Sequence, residues 1–344
     1  MARKKNKSSR VVLLVLMGMI VVSCVGVLYW LRREKTVNTE DVRIFLPDGC
    51  DFDGMLDTLK SNHCLSSFES FRAIAQARRF TTVHGGSYVV SHKMPVFDLV
   101  HKLRIGSQDP IRITIGSYRS LTRLCADLGK RFNFSQHELL QLLQSDSVCE
   151  QYGLTKNTII SLFVQNSYDV YWNISPQAFV NRMATEYDRF WNASRLADCQ
   201  ELNLTPAEVT TLASIVKEET NKNDEKADIA SVYLNRIRHK IPLQADPTVR
   251  YAVGDFSLRR ILKIHTECKS PYNTYQYIGL PPGPICIPSE SSIDAVLKNK
   301  RTKYLYFCAK DDFSGYHNFA ETLDEHNANA RKFHKALNNR NIYK

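Results

Sequence analysis

The sequence predicts an α+β protein: one apolar N-terminal helix, a small α+β domain, and a larger α+β domain behind it. Three observations carry this reading. Residues 11–31, VVLLVLMGMIVVSCVGVLYWL, contain no charged side chain. Between residues 42 and 115 short strand-like runs (VRIFL, SYVV, PIRITI) are interleaved with helical ones. Beyond residue 120 apolar residues recur mainly at helical spacing, with a strand-like run, KYLYFCAK, at 303–310. With 344 residues the chain is long enough for two cored domains.

The N-terminal run has the length of a bilayer span, about 20 apolar residues, with Tyr29 and Trp30 at one end. Five basic residues precede it, so residues 1–10 read as a cytoplasmic tail, 11–31 as a transmembrane anchor, and the rest as lying on the far side of the membrane. Cleaved signals have shorter apolar regions, which favours an uncleaved anchor. VVSC at 21–24 resembles a lipoprotein cleavage box, but the apolar run continues past Cys24. Residues 1–35 carry eight Lys/Arg and one Glu, leaving 38 basic against 34 acidic residues elsewhere. The net charge of +11 therefore belongs mostly to the anchor, and no nucleic-acid partner is expected. Eight further cysteines show no C-x-x-C pair, so neither a zinc site nor a cofactor is expected. Disulfides and buried free thiols both remain open.

The elements follow in order. Residues 32–43 form a polar linker. A strand at 42–46, helices near 52–61 and 66–78, a strand after the Gly pair and another helix give a βααβ-like domain over 44–106. A strand at 110–115 opens a connecting segment, 107–200, of helices in SLTRLCADLGKRF, SQHELLQLLQS and the Ser175-capped SPQAFVNRMATEYDRFW. Thr205, Pro206 and Glu208 form a capping box with Pro at the first helical position. A second amphipathic helix carries Ala227, Ala230, Leu234 and Ile237 on one face and ends in basic residues. IPLQADPTVRYA reads as extended, and SPYNTYQYIGLPPGPICIP as a loop. The 303–310 strand reads as buried, and Thr322 with Glu325 caps the last helix.

Within the capped helix, Val209, Leu212, Ala213 and Val216 mark the buried face, and Glu219 continues it. Glu218 points about 180° from Val209 and reads as solvated. A carboxyl at the apolar edge of a helix C-terminus favours its protonated form, which suits a general acid; pairing with Arg236 is the structural alternative. Tyr272, Asn273, Tyr275 and Tyr277 come from one loop whose aromatic faces suit sugar rings, or which packs its own tyrosines. Gln244 and Asp246 are polar groups in an apolar turn, where Asp246 also suits a turn cap. His317 and His326 show no metal spacing. Ser214-Ile-Val-Lys217 matches the S-x-x-K motif of penicillin-binding acyl transferases, but no K-T-G element accompanies it.

The ordered segments LASIVKEET, IASVYLNRIRHKIPLQADPTV, SPYNTYQYIGLPPGPI and YLYFCAKDDFSGYHNFAETLDEHN closely resemble the MltG/YceG-like endolytic murein transglycosylases of bacteria. The likeness is strong over 205–330 and weaker upstream, where GGSYVVSHKMPVFDLVHKL looks like that family's LysM-like domain. The resemblance implies a LysM-like domain at 44–106 and a catalytic domain at 201–340. It implies cleavage of the β-1,4 bond between N-acetylmuramic acid and N-acetylglucosamine in peptidoglycan glycan strands, leaving 1,6-anhydro-muramic ends. The family motif is usually A-S-I-V-E-K-E-T. Here Lys217 and Glu218 replace its Glu and Lys, and its last Glu aligns with Glu219. Asn235, Gln244, Asp246, Tyr272, Asn273, Tyr275, His317, His326 and Asn327, all within the shared motifs, are then expected to bind the saccharide. An inner-membrane position, with the catalytic domain periplasmic, points to nascent strands as substrate and to cell-wall synthesis enzymes as partners. The rival readings are a hydrolase using Glu219 and Asp246, a non-catalytic peptidoglycan-binding scaffold and an acyl transferase using Ser214. A fourth, a luminal glycosyltransferase, rests only on DFD at 51–53.

Overall fold

Capping residues and short apolar periods set most of the elements. The structure, a computed structural model, describes residues 5–31, 33–258 and 260–340; within the first helix, side chains are described at 11–23 and 26. The first four residues of the expected cytoplasmic tail, and the side chain of Cys24, lie outside the described residues. The chain divides into two units: residues up to Arg112 with Asp169–Ile174, and Ile113–Tyr168 with Ser175 onward.

The first unit holds α1 (Lys5–Leu31), β1 (Val42–Leu46), α2 (Phe52–Ser61), α3 (Glu69–Ala77), β2 (Gly86–Val90) and α4 (Val96–Ile105). Among the described residues, which in the apolar run of α1 include side chains only at 11–23 and 26, no helix is long and apolar enough to cross a membrane. Strands β1 and β2 pair antiparallel, Val42 opposite Val90 and Leu46 opposite Gly86. Alternation along β1 sends Ile44 and Leu46 into a core with Met55, Phe71, Tyr88 and Leu99. Gly85 is required sterically: a Cβ there would lie 2.2 Å from Asp48 Oδ1. Residues of the expected linker are tied down, with Thr36 N donating to Met94 O and Asn38 Nδ2 to Val90 O. The DFD residues have local roles. Asp51 caps α2 through Gly54 N, and Asp53 pairs with Arg72 on the surface.

The chain continues through β3 (Ile111–Ile115), α5 (Leu121–Gly129), α6 (Gln136–Leu143), α7 (Asp146–Gln151), a 3-10 turn (Ile159–Leu162) and β4 (Asn166–Val170). Strands β3 and β4 form a second two-stranded sheet. Next come α8 (Pro176–Phe190), α9 (Ala193–Leu202), α10 (Pro206–Glu219), α11 (Lys226–Arg238), α12 (Asp246–Val253), α13 (Lys263–Thr266) and α14 (Glu290–Leu297). The antiparallel hairpin β5 (Tyr306–Ala309) and β6 (His317–Ala320), followed by α15 (Leu323–Asn339), completes the fold.

Helix α10 is the axis of the second unit. It packs against α9, α11, α12 and α14, and every residue from Val209 to Val216 is buried. This exceeds the single apolar face expected. The polar side chains on its other faces are accommodated by their own helix: Thr210 Oγ1 donates to Pro206 O, Thr211 Oγ1 to Ala207 O and Ser214 Oγ to Thr211 O. Two further expectations are corrected. IPLQADPTVRYA is not extended throughout, because Asp246–Val253 forms α12 with Pro247 in its first turn, where a missing N–H costs nothing. The 303–310 strand is half-buried rather than buried, because β5 belongs to a two-stranded sheet partly covered by α15. All eight cysteines outside α1 are free thiols.

The capping box on α10 forms as expected: Glu208 N donates to Thr205 Oγ1 and Thr205 N to Glu208 Oε2. Thr205→Ala is expected to lower unfolding stability by about 1 kcal/mol, read as a lower denaturation midpoint at an unchanged denaturant dependence.

Candidate active site

The last residue of α10 places a carboxyl where little water reaches it. Glu219 lines an open pocket of about 280 Å³ together with Tyr233, Arg236, Leu243, Gln244, Asp246, Tyr275, Phe307 and His326. Burial pushes the Glu219 carboxyl up to about 7. The Tyr233 hydrogen bond works against this rise, the nearby charges of Asp246 and Glu218 add to it, and Arg250 opposes it. The Tyr233 hydroxyl donates to Glu219 Oε1 at 2.5 Å. Glu218, expected to be solvated, is instead largely covered and ion-paired to Arg119 at 2.8 Å, because a helix buried on all sides leaves that face no open water.

The second carboxylate, Asp246, is held from the loop side: the Tyr275 hydroxyl donates to its Oδ1 at 2.6 Å. The turn that presents it is over-determined. Gln244 sits at φ 53°, in the left-handed region, and is fixed there by Gln244 N to Thr274 O and Ala245 N to Thr274 Oγ1, each at 3.0 Å. Arg236 does not pair with Glu219. Its guanidinium donates to the carbonyls of Leu305, Pro242 and Leu243 and to Gln244 Oε1, and it stacks on the Tyr306 ring. Arg236 therefore ties α11, the 242–244 turn and the strand-entry segment around one pocket wall. His326 stacks against Tyr306 as well, with Nδ1 buried and, among the described residues, unbonded. Burial, then Arg236, lowers its pKa and favours the neutral ring.

Of the ten residues expected to catalyse or to bind the saccharide, Glu219, Gln244, Asp246, Tyr275 and His326 meet in this pocket. Five others take other positions. Asn235 donates to Thr302 O and Tyr304 O, holding the segment that leads into β5. Asn273 is fully buried and closes its own loop by donating to Thr266 O and Cys268 O. Tyr272 packs on Tyr251 with ring centroids 4.7 Å apart. His317 contacts Glu225 through Nδ1 at 3.0 Å and stands edge-on to Phe307. Asn327 is exposed on α15. Sequence reasoning passed over Tyr233, Leu243 and Phe307. For Tyr233 the signal was present: it lies three residues after Ala230 and four before Ile237, beside the stripe already recognised.

The S-x-x-K reading fails on geometry. Ser214 is fully buried, its Oγ donates to Thr211 O and accepts from Ile285 N, and Lys217 reaches Asn221 instead. Among the described residues no three His, Cys, Asp or Glu side chains gather as a metal site requires.

Fold and site together define an α+β protein whose second unit offers one readily protonated carboxyl, and a second carboxylate, in an open polar pocket. The chain belongs to the YceG-like family, whose pattern it matches over residues 44–332. It is 27% identical over 321 residues to the endolytic murein transglycosylase of Bacillus subtilis, covering 89% of this chain and 88% of that protein. It is 25% identical to the endolytic murein transglycosylase of Streptococcus pneumoniae, over 84% of this chain but only 57% of the longer relative. A crystal structure of a YceG-like protein from Listeria monocytogenes shares the fold, with a TM-score of 0.57 and 24% identity over 85% of this chain and 99% of that one.

Folded, Glu219 holds its proton to about pH 7, against 4.5 for an ordinary glutamate. Its contribution to stability is full below the ordinary value and is lost as pH rises through the folded one. Glu219→Gln removes this loss. The variant is expected to gain stability relative to wild type as pH climbs from about 4.5 to 7, with a constant difference above that window; unfolding midpoints across pH check this.

Proposed function

We propose that this chain is a membrane-anchored peptidoglycan lytic transglycosylase that cuts the β-1,4 bond between N-acetylmuramic acid and N-acetylglucosamine. The observation that carries this reading is a single glutamic acid, Glu219, raised to about 7 at the end of a buried helix and lining an open pocket. A carboxyl with that pKa is matched to proton transfer near neutrality. Family membership and relatives called endolytic murein transglycosylases support the substrate class.

In this mechanism protonated Glu219 donates to the leaving glycosidic oxygen. Positive charge develops at the muramic anomeric carbon, beside Asp246. The sugar's own 6-hydroxyl attacks that carbon, and deprotonated Glu219 takes the hydroxyl proton, which returns the acid to its starting state and leaves a 1,6-anhydro end. An attacking group already within the substrate supplies an effective-molarity advantage worth up to about 7–11 kcal/mol in favourable cases. Arg236 and the Gln244 turn fix the wall on which the sugar rests, and Tyr275 keeps Asp246 in place. The anchor is residues 11–31, uncharged and preceded by basic residues, within a 27-residue helix. The βααβ arrangement of β1 to β2 supports a LysM-like glycan-binding role for the small domain. On this reading the N-terminus is cytoplasmic, the catalytic unit acts outside the inner membrane on nascent strands, and synthesis enzymes are its neighbours.

Asp246 in the same pocket favours one alternative, a hydrolase in which it activates water. The product separates the two. Full-length protein in detergent, incubated with purified glycan strands, is expected to yield anhydro-muramic ends by mass spectrometry. Glu219→Gln is expected to lose about 10²–10⁴-fold in rate. Reducing ends in place of anhydro ends would select the hydrolase, and undiminished cleavage by Glu219→Gln would remove the residue from the mechanism.

A further inference from the structure

The catalytic reading leaves open which oxygen of Glu219 carries the proton. Tyr233 bears on this directly. Its side chain is 1% exposed, on α11, with the ring edge-on to Phe307 at 5.8 Å. Among the described residues its hydroxyl has one partner within bonding distance, Glu219 Oε1. A phenol that donates to Oε1 takes one of that oxygen's two acceptor sites, and a carbonyl oxygen accepts better than a hydroxyl oxygen, so the contact favours the carboxyl proton on Oε2.

We propose that Tyr233 is a positioning residue for the reaction assigned above: it occupies Oε1 of Glu219, directs the transferable proton to Oε2, and steadies the carboxylate that forms once the proton has left. This rests on Glu219 being the acid. The phenol does not compete as the proton source, since burial and the adjacent carboxyl hold its own pKa well above the ordinary value. Short hydrogen bonds to an ionised carboxylate are stronger than those to a neutral one, so the Tyr233 contact tightens as Glu219 gives up its proton. That is the direction catalysis requires, because the interaction gains strength along the reaction rather than in the resting state. It also keeps the carboxylate able to take the 6-hydroxyl proton back through the same oxygen.

The other groups around Glu219 do not duplicate this role. Glu218, on the same helix, is directed to Arg119. From α12, Asp246 is bonded to Tyr275 and Arg250 acts on Glu219 only through its charge. Arg236, on α11, is taken up by carbonyls and Gln244, and His326, from α15, stacks on Tyr306. Tyr233 gives Glu219 its direct hydrogen bond.

The test is Tyr233→Phe in the full-length protein in detergent, with two readouts. The first is the Glu219 carboxyl titration by carbon NMR, assigned by its loss in Glu219→Gln. Removing a donor that favours the charged form should raise the Glu219 pKa by about one unit. The second is the pH profile of strand cleavage. Its alkaline limb should move upward by the same amount, while the limiting rate stays far above the roughly 10²–10⁴-fold loss expected for removing the acid itself. An unchanged or lowered Glu219 pKa overturns the proposal. So does a rate that falls uniformly with no displaced limb, which is the mark of a packing role alone. Absence of cleavage by the wild type would instead count against the enzymatic reading, and the NMR titration would still decide the role of Tyr233.

Discussion

The site depends on one constraint: a helix buried on every side must end somewhere, and α10 ends in a carboxyl. Val209 to Val216 have no solvent face, and the last turn, Lys217 to Glu219, leaves that packing only half-buried, with Glu219 on the wall of a pocket. Glu219 is therefore desolvated by the same packing that stabilises the core, and its proton is retained to about pH 7 in spite of the Tyr233 hydrogen bond, which favours the charged form. The fold makes an acid by placing an ordinary residue at the exit of its central helix. Its partly open position, on a pocket rather than in the core, allows that proton to reach a substrate.

Around this carboxyl the pocket is built from paired devices. Each carboxyl meets a tyrosine hydroxyl, Glu219 that of Tyr233 and Asp246 that of Tyr275, and each tyrosine arrives from a different element. Arg236 serves as a cationic tie among carbonyls instead of as a counter-ion. Among the described residues that arrangement leaves Glu219 without a salt bridge, which would have held it ionised. The loop from 266 to 277 spends its amides on itself: Asn273 and Gln276 both donate to Thr266 O, so the loop presents Tyr275 from a rigid frame.

Much of the fold was legible from local signals. The capping boxes at Thr205 and Thr322, the Ser175 cap, the 42–46 strand and the apolar stripe of α11 are short-range chemistry, and each sits where the residues imply. What local signals left out were elements whose helicity depends on neighbours. Helix α12 begins with Asp-Pro, a turn signature, and α14 follows a Pro-rich loop; each is short and gains its stability from packing on α10. The solvated reading of Glu218 failed for the same reason, since helical periodicity assumes that one face meets water.

The sequence by itself determined the position of Glu219 at the end of a capped, apolar helix, and with it the chemistry a carboxyl can offer there. It also determined that Gln244, Asp246 and Tyr275 belong to the same set of motifs. The tertiary structure decided which side chains meet that carboxyl: it brought Tyr233 to Oε1, turned Arg236 toward backbone carbonyls, and kept Asn235 and Asn273 for holding loops. The reason is physical. Burial and hydrogen-bond partners are set by elements distant in the chain, and a residue's type fixes only what it can donate or accept, not which group arrives within reach.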